Sequence, residues 1–214
     1  MIARFDALVF DFDGVLVEST DIKTRAFGTL YENYGQEVVD QVIAHHKINT
    51  GISRFKKFQY FQEKILGVPY EEVDGTLLSN RFSKIVVDAV VESSYVVGAK
   101  KFLEAHKDVI PMFVASGTPD NELHEIIERR DMMKYFVSVF GAPSTKGEII
   151  KKLLQEHEFI PMRVLMIGDA LADLEGARES GVCFIGRMSG DYSPFPLEVE
   201  VIPDLNALAN YVWR

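Results

Sequence analysis

Four short stretches of this chain place acids, a hydroxyl and a lysine where they could work on one substrate. Asp11-Phe12-Asp13-Gly14 closes an apolar run. Residues two apart on an extended strand point the same way, so two carboxylates face one spot. Gly14 lets the chain turn there without a side chain crowding the site. Taken alone, such a pair serves equally well as a turn or a helix cap. Ser116-Gly117-Thr118 precedes Pro119, which sits at an expected first helical position with Thr118 as the N-cap. A hydroxyl beside free backbone N–H groups is a cradle for a phosphoryl oxygen, or simply a cap. Thr145 and Glu148 have capping-box spacing, which puts Lys146 in the first turn of a helix. The helix dipole disfavours a cation there, so either an anion lies in front of Lys146 or the lysine is a solvated surface residue. Gly168-Asp169 closes a further apolar run, and Asp173 follows about one turn into the next helix. Carboxylates gathered at one edge repel unless a cation neutralises them, and hard oxygen donors beside a phosphate suit magnesium.

Positioning such groups requires a particular frame. Apolar runs at 7–10, 109–115, 135–140, 164–167 and 182–185 read as strands buried on both faces. Helical spacing appears between the later runs, at Leu123, Ile126 and Ile127 and at Ile149, Ile150, Leu153 and Leu154. Alternating strand and helix predicts an α/β fold with a parallel sheet, whose ligands bind beyond the C-terminal strand ends. Roughly ninety residues separate the first two strands, far more than a crossover needs. Within them Ile22, Ala26, Phe27, Leu30 and Tyr34, then Phe82, Ile85, Val86 and Ala89, recur at helical spacing and predict an inserted helical bundle. Phe55, Phe58, Tyr60 and Phe61 are expected in its core.

The 214 residues, 47% of them hydrophobic, suffice for one core plus a modest insertion. A net charge of -9 and a pI near 5.1 argue against nucleic acid as a partner. Cys183 is the single cysteine, which rules out an intrachain disulfide, and its apolar neighbours predict a buried strand residue. Neither a signal-peptide core nor a bilayer-length apolar span is present, so a cytoplasmic protein without membrane contact is expected.

The order Asp11-x-Asp13-Gly14-Val15, Ser116, Lys146 and Gly168-Asp169-x-x-x-Asp173 resembles the haloacid dehalogenase superfamily. The likeness is to its helically capped phosphatases and phosphomutases, of the phosphoglycolate phosphatase and beta-phosphoglucomutase types, and it covers nearly the whole chain. It implies a Rossmann-like catalytic core at 1–17 and 92–214 with an all-helical cap at 18–91. It further implies that Asp11 attacks phosphorus and becomes an aspartyl-phosphate, while Asp13 acts as general acid and base. Magnesium would be bound by Asp11, Asp169 and the Asp13 carbonyl. Ser116, Gly117 and Lys146 would bind the phosphoryl group, and Asp173 would support the metal's water shell or orient Lys146. Asp13 argues against carbon-halogen chemistry, since the dehalogenases lack that second aspartate.

Gly51-Ile52-Ser53-Arg54 resembles a cap segment of the group's sugar-phosphate mutases, in which the arginine meets a substrate phosphate. Arg54 is thus a candidate specificity residue; the alternative is a helix start capped by Ser53 with Arg54 solvated. The expected function is magnesium-dependent hydrolysis of a small phosphorylated metabolite, a sugar phosphate or phosphorylated acid, by a monomer or weak homodimer. A sugar phosphomutase shares the whole first half-reaction and stays open. So does a non-catalytic phospho-acceptor or scaffold protein. A receiver-type signalling module fits less well, because it carries its lysine last whereas Lys146 precedes the final acids.

Overall fold

The computed structural model describes residues 3–190 and 193–213. In chain order its elements are β1 (Ala7–Phe10), α1 (Thr20–Tyr31), α2 (Gln36–Ile48), α3 (Arg54–Tyr60), α4 (Glu72–Glu92), α5 (Ala99–His106), β2 (Met112–Pro119), α6 (Asp120–Arg129), β3 (Ser138–Ala142), α7 (Lys146–Glu156), β4 (Val164–Gly168), α8 (Leu171–Ser180), β5 (Cys183–Arg187), β6 (Val201–Ile202) and α9 (Ala209–Val212). The six strands form one parallel sheet in the order β3-β2-β1-β4-β5-β6. This is a Rossmann-like α/β architecture, and the strand order reverses between β1 and β4, the place where such sheets open a crevice.

The two-residue period of the strands sorts their side chains onto opposite faces. Leu8 and Phe10 of β1 join Met112, Val114, Leu165 and Ile167 in a buried cluster with Phe102 and Leu103 of α5 and Leu123, Ile126 and Ile127 of α6. Ala7 and Val9 face the other way, into Phe113, Ala115 and Met166 under Ile149, Ile150 and Leu153 of α7. With both faces covered, β1 and β4 are buried at every position, which is why their sequences are unbroken apolar runs.

Between β1 and α5 the chain is helical, as its spacing predicts. Phe27 of α1 lies at the centre, with ring centroids 4.4 Å from Phe82, 5.7 Å from Phe61 and 6.0 Å from Phe58. The chain leaves the core and returns to it side by side. Val17 pairs antiparallel with Tyr95, the Glu18 N–H donates to the Ser94 carbonyl (2.9 Å), and the Val96 N–H donates to the Leu16 carbonyl (3.0 Å). Helix α4 runs to Glu92, so the inserted helices end just after the expected boundary at 91.

Several expectations are corrected at their edges. Strand β2 starts at Met112 rather than Val109, because Val109 and Ile110 turn back to the His106 carbonyl and leave Val109 exposed. Tyr135 lies in a single 3-10 turn before β3. Tyr34 lies beyond the end of α1, and Tyr60 stacks on His45 at the edge of the bundle rather than in its core; both are exposed. Cys183 is half-buried at the start of β5, with its thiol 3.5 Å from the Met162 carbonyl. Among the described residues, no helix is long and apolar enough to cross a membrane.

Candidate active site

Asp11 follows the last residue of β1, where its N–H donates to the Ile167 carbonyl of β4 (2.9 Å). Its carboxylate is almost fully buried, with one oxygen accepting from the Phe12 N–H (2.8 Å) and the other 3.0 Å from Lys146 Nζ. Burial pushes the Asp11 carboxyl up to about 7, because the pull of Lys146 only partly offsets it and Asp173 and Asp13 add repulsion. Gly14 has φ +77°, the left-handed region, and a Cβ there would strike the Asp169 carboxylate. The turn after Asp13 therefore needs glycine twice over, for its conformation and for the space that Asp169 occupies.

The Thr145 and Glu148 pair forms the capping box that its spacing predicts: the Glu148 N–H donates to Thr145 Oγ1 (3.3 Å) and the Thr145 N–H to Glu148 Oε2 (2.7 Å). This fixes Lys146 in the first turn of α7, buried, with its ammonium paired to Asp11 and Asp173. The anion expected in front of Lys146 is thus supplied first by the protein. Burial alone would lower the lysine, but these two carboxylates raise it above the usual lysine range. Asp173 is wholly buried and its second oxygen accepts from the Asp169 (3.1 Å) and Ala170 (2.9 Å) N–H groups. Asp169, by contrast, is raised well above the carboxylate range by burial, with Asp11 and Asp173 adding to the shift.

Carboxylate oxygens of Asp11, Asp169 and Asp173 lie within 4.8 Å of one another, with Lys146 supplying one positive charge against three acids. That surplus of buried, hard oxygen donors fits a divalent cation. Asp173 is wholly buried and its oxygens are taken by the Lys146 ammonium and two backbone N–H groups, which makes it the least available of the three to an ion.

Asp13 faces elsewhere. Its carboxylate accepts from Ser19 Oγ (2.6 Å), from Thr118 Oγ1 (2.9 Å) and from the Lys23 ammonium. Burial would raise it, but Lys23, Ser19 and Thr118 together hold it below the usual carboxylate range. Thr118 therefore does not cap α6, as the sequence suggests. Pro119 occupies the cap position, while the Thr118 hydroxyl bridges Lys23 (2.7 Å) and Asp13. Ser116 Oγ is buried and accepts from the Thr118 N–H (3.1 Å).

The inserted helices close over these groups. Gly51 and Gly117 meet so tightly that a Cβ on Gly117 would lie 2.7 Å from the Gly51 carbonyl oxygen. Ser53 caps α3 through the Phe55 N–H, but Arg54 is not solvated: it is buried and grips Glu122 of α6 with two bonds (2.5 and 2.7 Å), with Ser83 alongside. The enclosed cleft is lined by Asp11, Asp13, Asp169, Lys23, Lys57 and Arg54, among others, and holds about 50 Å³. That is room for a few waters.

Sequence reasoning missed Lys23 and Glu122 and left His46 unassigned. Thr20, Lys23 and Phe27 all line the cleft at helical spacing, a signal that was present but that a surface lysine would also give. Nothing pointed to Glu122, whose partner lies 68 residues away.

The sequence model of the haloacid dehalogenase-like hydrolases matches residues 8–187. Over 182 residues the chain is 24% identical to the phosphorylated carbohydrates phosphatase of Thermotoga maritima, covering 83% of this chain and 82% of that protein. Over 217 residues it is 23% identical to the phosphoglycolate phosphatase of Pseudomonas putida, covering 94% and 77%. The solved structure of CbbY from Rhodobacter sphaeroides in complex with phosphate superposes with a TM-score of 0.75 at 18% identity, over 95% of this chain and 96% of that one, a likeness of fold.

Proposed function

Because the chain belongs to the haloacid dehalogenase-like hydrolases, we propose that it is a phosphoric monoester hydrolase that transfers the phosphoryl group of a small metabolite to Asp11 and then to water. The observation that carries this reading is the Asp11 carboxylate, buried at the end of β1 and 3.0 Å from Lys146, inside a cluster of acids suited to a cation. The similarity to two phosphatases of phosphorylated small molecules supports the substrate class.

In the first step an Asp11 oxygen attacks phosphorus, the bond to the leaving oxygen breaks, and Asp13 gives that oxygen a proton. In the second, Asp13 takes a proton from water as the water displaces the phosphoryl group from Asp11. Lys146, the Ser116 hydroxyl and the Gly117 N–H bind the transferring oxygens, and Asp173 orients Lys146. Asp11 and Asp169, with the Asp13 carbonyl, would hold magnesium, which when bound neutralises charge on the phosphoryl group. Residues 18–91 serve as the cap that excludes bulk water. Arg54, held by Glu122, meets a substrate only if that pair opens, which favours a hydrolase over a mutase that relies on a free arginine there.

The test is phosphate release from a panel of phosphorylated metabolites, with and without magnesium. Asp11→Asn should abolish release, because its amide cannot attack phosphorus, while circular dichroism stays that of the parent. Normal turnover by that variant would end the proposal.

A further inference from the structure

Among the described residues, the fully buried cations are paired with carboxylates, with one exception. Arg54 grips Glu122, Lys146 holds Asp11 and Asp173, and Arg187 holds Glu18. Lys57 of α3 is 3% exposed, yet among the described residues its ammonium has no acidic partner. It lies 2.9 Å from His46 Nδ1 and 5.4 Å from the centre of the Phe27 ring. A buried charge without a counter-charge is costly, so a position that keeps one needs a reason.

His46 holds this ammonium in place. An ammonium can only donate, so with Lys57 protonated His46 Nδ1 accepts and the ring proton sits on Nε2. Burial, with Lys57 beside it, keeps this imidazole neutral, its pKa pushed down to about 2. The Nε2 atom is itself buried and has no hydrogen-bond partner. Both side chains line the cleft that contains Asp11 and Asp13.

We propose that Lys57, its ammonium held in place by His46, forms a subsite for a second anionic group, a carboxylate or phosphate carried on the organic part of the substrate; this rests on the phosphohydrolase reading above. An ammonium has three donors and His46 takes one, so two remain for the oxygens of an anion. The surroundings favour an anion over a neutral group. Burial first, then the charges of Lys23, Arg54 and Lys146, pull Lys57 down to about 7, and only Asp13 opposes them. An arriving anion stabilises the lysine's charge and relieves that crowding. Arg54, the residue that family resemblance singles out for this task, already holds Glu122.

The test pairs phosphorylated hydroxy acids of two to four carbons, and the matching diol bisphosphates, with alkyl phosphates of the same length. The parent enzyme should prefer at least one of the doubly anionic esters. Lys57→Met should lower kcat/KM for that ester by about 10- to 100-fold and leave the alkyl phosphate within about threefold. Equal losses on both, or no preference in the parent, would overturn the subsite. Binding to Asp11→Asn protein, with and without Lys57→Met, reads the subsite apart from turnover. An affinity gap confined to doubly anionic ligands upholds it even if the parent hydrolyses nothing, and equal affinities refute it. Lys57→Gln repeats the comparison should the methionine variant fail to fold.

Discussion

Asp13 has two tasks in the proposed cycle, and Lys23 decides which it does more readily. By holding Asp13 below its ordinary range, Lys23, Ser19 and Thr118 keep it ionised, the form that takes a proton from water. Replacing Lys23 with methionine removes the largest of these stabilising effects, so the Asp13 pKa should rise. The acidic limb of the kcat profile should then move to higher pH, with the rate below that of the parent on the acid side. A pH-rate titration of the variant checks this, and an unmoved limb would separate Lys23 from the reaction. The carboxylates and Lys146 were legible in the sequence because each sits at a fixed offset from a strand end or a helix start. Lys23 and Lys57 were not, since a lysine on a helix normally faces water, and only the closure of one helix layer on another buries them.

At the level of elements, α3 and α6 are joined by the Arg54–Glu122 pair, buried on both sides at about 4% exposure. Removing one member strands a buried charge, so Arg54→Met or Glu122→Leu alone should cost about 3–5 kcal/mol. The double replacement should recover most of that loss, because two apolar side chains leave no charge behind. Denaturant melts of the four proteins in the cycle measure it, and additive losses would show that the pair is not coupled. The strands themselves were readable from composition, since a sheet covered on both faces demands unbroken apolar runs. Their edges were less so. Val109 and Tyr135 are as apolar as their neighbours, but their backbones had already turned away from the sheet, and no side-chain pattern records that.

For the molecule as a whole, the acid cluster makes folding depend on pH in an unusual direction. Asp11 is raised to about 7 from 3.8, and Asp169 well above 3.8, so the folded chain keeps protons that the unfolded chain has released. A raised carboxyl stabilises fully below its unfolded value and ceases to as pH climbs through its folded value. The Tm of metal-free protein should therefore fall between about pH 4 and pH 7. Magnesium should raise the Tm more at pH 8 than at pH 5, where protons compete for the same oxygens. Calorimetric scans at both pH values decide this; a Tm indifferent to pH and to the ion would leave the cluster without electrostatic strain. A different consequence follows from the paired exit and return at Val17 and Tyr95. Neighbouring strands lie only about 5 Å apart at such a pairing, so the entire inserted segment is spliced in at what amounts to a single point. Its length can change while the strands keep their register, whereas its composition stays tied to the core at Gly51 against Gly117 and at Arg54 on Glu122.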